Sequence, residues 1–199
     1  MINPRLIAAS VAVLCLSACE KPAGPADAPA NAPTTVASGT LVASALPALP
    51  TVPNPVFGPN FVATAGTANL FEIDEAKVAL KRTSDAQVKA FASMMLDIHT
   101  KSNAALQAAV EASGQNLDLP ADLTDALQTK LATLNQTDAG HFDQAYMADQ
   151  IDAHEGALDA MRIYARRGDV AVLKKFATDA VPVVESHLAR AKALQASLK

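Results

Sequence analysis

A chain of 199 residues, half of them hydrophobic, is long enough to bury one sizeable core, and 20 acidic against 16 basic side chains leave it mildly acidic. No basic cluster of the kind that follows a phosphate backbone is present, so no nucleic-acid partner is expected. Both cysteines, Cys15 and Cys19, lie near the N-terminus, and the rest of the chain has no thiol for a disulfide, a thiolate metal site or nucleophilic catalysis.

In chain order, the first element is an export signal. Arg5 precedes an apolar run from Leu6 to Leu16, then small residues and a cysteine. The run is shorter than the roughly twenty residues a membrane-spanning helix needs. Leu16-Ser17-Ala18-Cys19 resembles the lipobox of bacterial lipoproteins. That resemblance implies removal of residues 1–18 and lipidation of Cys19, and each buried methylene of the acyl chains contributes about 0.8 kcal/mol to membrane attachment. Glu20, where an aspartate would signal retention, implies sorting to the outer membrane of a two-membrane bacterium, with the domain on the periplasmic face of the envelope. An ordinary secretory signal with a chance cysteine is the alternative.

Residues 19–60 follow as a lipidated cysteine and an Ala/Pro-rich segment holding nine of the twelve prolines. Such a composition forms an extended, partly polyproline tether, which at about 3.1 Å per residue reaches on the order of 100 Å.

From Phe61 to Lys199 prolines nearly vanish and helix-forming residues dominate without strand-like alternation, so one all-α domain is expected over 61–199. Helix one is expected from an Asn60 cap to about Arg82. Ser84-Asp85-Ala86-Gln87 has the form of a capping box opening helix two, and Gly114 suits its end. Pro120 is suited to open a short amphipathic helix whose Leu123, Leu127, Leu131 and Leu134 share a face. Helix three is expected from Asp138 to Arg167, stopped by Gly168, and helix four from an Asp169 cap to the terminus despite Pro182. If the short helix carries the chain from one end of the assembly to the other, the connectivity is that of a ferritin-like four-helix bundle with an extra helix in the crossover between helices two and three. An up-down bundle with a decorated loop is the other topology.

Each long helix carries one ligand-type side chain among apolar positions: Glu72, His99, His154 and His187. Counted from the turn at Ser84, Glu72 and His99 lie at similar depths, whereas His154 and His187 differ by more than one turn about Gly168. Asn69, Glu75, Ser102 and Asn103 lie one turn from Glu72 or His99 and are candidates to orient them. Tyr146 is a candidate to border the same cavity, and His141 falls off the His154 face. Asp97, Asp152 and Glu185 point away from the stripe, so the paired Glu-x-x-His ligands of di-iron carboxylate proteins are missing. Three imidazoles and a carboxylate suit one transition-metal ion, Zn, Fe, Cu or Mn, without choosing among them. A buried Glu/His polar network without metal accounts for the same pattern.

Asn69-Leu70-Phe71-Glu72-Ile73, Phe91-Ala92-Ser93-Met94-Met95 before His99, Phe142-Asp143-Gln144-Ala145-Tyr146 before His154, and Val181-Pro182 before His187-Leu188 resemble a bacterial cell-envelope family, an outer-membrane ferritin-like domain of unknown function. The likeness runs from Phe61 to Leu194. Ile98 stands where that family has an acid directly before the second-helix histidine. The resemblance implies a ferritin-like bundle in the envelope and brings no reaction with it. With no phosphate-binding glycine loop and no Ser/His/Asp pattern, a non-enzymatic role is favoured over metal-based catalysis. Two functions remain open, metal binding and a structural or stress-related module meeting a protein or cell-wall partner.

Overall fold

Apolar residues recurring every three or four positions need a helical surface, and every stretch that shows the pattern folds accordingly. The computed structural model describes residues 54–198, so the expected export signal, the expected lipidation site Cys19 and the expected tether before Asn54 lie outside the described residues. Within them the protein is all-helical: α1 Gly58–Arg82, α2 Ala86–Ser113, α3 Asp125–Gln136, α4 Ala139–Arg167 and α5 Ala171–Ser197. No helix among the described residues is long and apolar enough to cross a membrane.

Local chemistry moves several boundaries from the expected residues. Asp85, not Ser84, caps α2, its carboxylate accepting from the Gln87 and Val88 amides at 2.7 and 3.0 Å. Gly114 ends that helix at φ 65°, a left-handed conformation that favours glycine. α1 begins before Asn60, with Pro59 in its first turn, where a missing N–H leaves no bond unmade. Thr124 rather than Pro120 opens α3, its hydroxyl accepting from the Leu127 amide. Pro120 packs instead on α1, where a Cβ at Gly66 would come within 2.6 Å of the proline ring. Asp169 caps nothing, because its carboxylate accepts from the Tyr164 hydroxyl at 2.9 Å and Val170 takes the cap position of α5.

The core has two apolar layers. Ala76, Phe91, Met95, Tyr146, Met147 and Leu194 belong to one, and Phe61, Leu106, Val110, Tyr164, Leu173 and Ala177 to the other. Following the chain, α1 and α5 pass from the second layer to the first, while α2 and α4 pass from the first to the second. Neighbouring long helices are therefore antiparallel: α1 packs on α2 and α4, and α5 packs on α4 and α2. Because α2 and α4 run the same way, the α3 connection carries the chain back along the whole length. α3 lies against α1 and α4, holding on by buried Leu134, a Lys130–Asp149 ion pair at 3.1 Å, and Arg82, which donates to the Asn135 and Thr137 carbonyls. Leu127 and Leu131 are only half-buried, and Leu123, expected on the same face, precedes the Thr124 cap and lies outside the helix.

Candidate metal centre

Between the two apolar layers lies a polar one. Asn69, Glu72, Glu75, Gln150, His154 and His187 are buried in it and His99 is half-buried. Polar groups withdrawn from water cost several kcal/mol unless partnered, so this layer costs stability that an apolar one would not.

The second hairpin brings its histidines level despite their unequal distances from Gly168. The link between Arg167 and Ala171 consumes residues without helical rise, so His154 lies thirteen positions before the end of α4 and His187 sixteen after the start of α5. At 1.5 Å per residue the offset falls to about 4.5 Å, less than one turn and within reach of an imidazole arm. Their ring centroids are 5.5 Å apart, and His99 lies 5.7 Å from His154 and 6.1 Å from His187. One ring nitrogen from each of the three lies within 4.8 Å of the others.

Each ring also has one buried nitrogen without a hydrogen-bond partner: Nε2 of His99, Nε2 of His154 and Nδ1 of His187. Two of the rings are anchored through their other nitrogen. His99 Nδ1 meets Asn69 Oδ1 at 3.0 Å, and His154 Nδ1 meets the Gln150 carbonyl at 2.8 Å. Those acceptors place the proton on Nδ1, which leaves the unpartnered Nε2 as a lone-pair donor. Burial, with the neighbouring imidazoles, lowers His99 to about 3. Burial, then His154 and Arg190, lowers His187 to about 4. Burial also lowers His154, against the opposing effect of its bond to Gln150. All three rings are neutral at pH 7, the form that ligates metal.

Glu72 stands outside this triangle. Its Oε1 approaches His154 at 3.6 Å, on the Nδ1 edge already engaged by Gln150, not at the unpartnered Nε2. Its Oε2 accepts from the Gln150 side-chain amide at 2.6 Å, and the same amide donates to Glu75 at 2.9 Å. Two carboxyls thus share one donor in a dry interior, and burial above all raises the pKa of both. Glu75 Oε1 and the side-chain Oε1 of Gln150 are left without partners. Tyr146 is fully buried beside Phe91 and Phe142; its hydroxyl is unpartnered and held in the phenol form by burial and by both glutamates.

Of the other candidates, Asn69 and Glu75 belong to the polar layer. Ser102 lines a pocket of about 300 Å³ beside His99 and His187. Asn103 is half-buried and, among the described residues, neither it nor Ser102 hydrogen-bonds an imidazole. His141 is exposed, as are Asp97, Asp152 and Glu185. Gln150 is the residue that sequence reasoning missed, although it lies one turn before His154 among apolar positions. It, rather than the half-buried Ile151, fills the inward site.

The polar layer falls entirely within residues 47–194, which match a family model described as a domain of unknown function, DUF4142. The chain belongs to this family. No curated protein and no solved structure matches it. The DUF4142 match begins before the first helix, inside the proline-rich segment.

The residues of this DUF4142 chain fit a metal ion by geometry and by donor chemistry. Donors no more than 4.8 Å apart place a common centre about 2.8 Å from each, the side divided by √3, against about 2.0–2.1 Å for a zinc–imidazole bond. Each ring would close by under about 1 Å. Three imidazoles brought together from α2, α4 and α5 suit Zn, Cu or Fe and would leave a coordination position open.

Proposed function

We propose that this protein is a lipid-anchored envelope module whose four long helices form a ferritin-like four-helix bundle, with α3 in the crossover, and that it binds one transition-metal ion through His99, His154 and His187. The carrying observation is the set of three buried, unpartnered imidazole nitrogens supplied by three different helices. A lone inward histidine is ordinarily satisfied by a hydrogen bond; three orphans together call for a shared partner. Support for the ferritin-like arrangement is the parallel course of α2 and α4, which requires a full-length return between the two hairpins.

Within this reading Asn69 and the Gln150 carbonyl fix the tautomers of His99 and His154, while Glu72 acts from behind His154 as a positioning residue, not a fourth ligand. A bound divalent ion would supply Lewis acidity at its open position. The test is elemental analysis of tag-free protein incubated with Zn, Cu, Fe or Mn and then desalted. One ion per chain is expected, lost on substituting His154 and His187 by alanine; absence of every metal overturns the proposal. The anchor rests on the Leu16–Cys19 motif, and incorporation of a labelled fatty acid that disappears in Cys19→Ser tests it.

A second reading draws on the Glu72–Gln150–Glu75 bridge, which satisfies part of the polar layer without an ion. In it the protein is a non-catalytic structural or stress-related interaction module, and the double histidine substitution changes stability alone.

A further inference from the structure

A pocket of about 560 Å³ opens between α1, α3 and α4 and ends on Glu72, His99 and His154. Ala68, Phe71, Leu127 and Ala157 form much of its wall, and its volume falls in the range of small-molecule sites. One residue of that wall has no packing reason to be what it is. Gly156 sits in the middle of α4, where glycine costs about 1 kcal/mol relative to alanine. At Gly66 and Gly168 a Cβ would collide with Pro120 or Tyr164, whereas a Cβ at Gly156 would meet nothing within 4 Å. Gly156 is exposed where it lines the pocket, and no neighbouring atom would oppose a side chain there.

The lysine on that wall is already engaged. Lys130, on the wall, pairs with Asp149 at 3.1 Å and lies 5.6 Å from the Phe71 ring centroid. Asp152 is exposed at the rim. A charged body would have to shed its water against alanines, a phenylalanine and a leucine.

We propose that this pocket binds a compact, uncharged organic molecule with an apolar body and one terminal lone-pair donor. The body lies along Gly156 and the donor points toward His99 and His154. The donor's role rests on the metal reading above; the body's fit to the apolar wall does not.

4-Phenylimidazole supplies both parts, and imidazole supplies the donor alone. Calorimetric titration of each into the full-length protein, metal-free and zinc-loaded, compares wild type with Gly156→Trp, whose indole would fill the pocket. The wild type is expected to bind 4-phenylimidazole at least about tenfold more tightly than imidazole in both states, since the phenyl ring leaves water. Gly156→Trp is expected to lose at least about tenfold of that affinity while keeping the wild-type zinc stoichiometry and a melting temperature no lower than the wild type's. Thr64→Trp, on the α1 wall, serves if Gly156→Trp does not fold, and predicts the same loss. Equal affinity for the two probes, or undiminished binding in the tryptophan variant, overturns the proposal. If no zinc binds but the variant still loses 4-phenylimidazole, the pocket stands and the metal reading fails.

Discussion

Burying three imidazoles in one layer makes the metal-free protein sensitive to acid in a way that can be calculated. The histidine pKa falls from 6.5 to about 3 at His99 and to about 4 at His187, because burial penalises the imidazolium. A folded pKa below the unfolded one gives stability that is complete above pH 6.5 and is lost as the pH falls toward the folded values. At pH 5 the unfolded chain has gained a proton at each position and the folded chain has not. A gap of 1.5 units at 1.36 kcal/mol per unit costs about 2 kcal/mol per ring, or about 4 kcal/mol for the two. Glutamine at both positions removes the titration while keeping a polar side chain. Urea denaturation in EDTA at pH 7.5 and pH 5.0 should therefore show the wild type losing about 4 kcal/mol more than His99→Gln/His187→Gln between the two conditions. Glu72 and Glu75 titrate in both proteins and cancel in the comparison. Equal pH dependence in the two proteins would mean that the imidazoles take up protons in the fold as they do in the unfolded chain, and the argument from burial would fail.

Other outcomes follow from the same layer and its supports. Asn69→Ala frees the His99 ring, so zinc affinity measured against a chromophoric chelator should fall about 10- to 100-fold with one ion still bound at saturation, and unchanged affinity would remove Asn69 from its positioning role. Glu75 has a raised folded pKa, so its contribution is present below the ordinary carboxylate value and lost as the pH rises through the folded one. Thermal scans in EDTA at pH 6 and pH 8 should accordingly show Glu75→Gln losing less on alkalinisation than the wild type; parallel losses would contradict this. Gly168→Ala forces a methyl group to within 2.5 Å of the Tyr164 ring, and a cost of about 1–3 kcal/mol in urea denaturation is expected, with no loss contradicting the packing at this turn.

The helices were legible in the sequence because their apolar stripes are long and their breaks are chemical: Asp85 and Gly114 bound α2 through bonds and φ angles that their residue types favour. Asn60 and Asp169 misled because a plausible cap is only a competitor for local amides, and the Asp169 carboxylate is claimed by a tyrosine one turn back in α4. The inward direction of the three histidines was legible as well, but not which acid or amide they meet. Asn69 and His99 stand at equal distances from Ser84, and that count favours Asn69 over Glu72 as the partner of His99. The mismatch between His154 and His187 arose from counting the residues after Gly168 as helical rise, although the link to Ala171 adds almost none. Gln150 escaped because an amide at one inward position looks like noise until two carboxyls from another helix are seen to share it.

X-ray absorption on tag-free, zinc-loaded protein examines the central claim at the atoms concerned. The account predicts one zinc per chain with three imidazole nitrogens at about 2.0–2.1 Å and a lighter, exchangeable fourth ligand. A zinc shell built from carboxylate oxygens without three imidazoles, or one that persists when His99, His154 and His187 are replaced together, would contradict it.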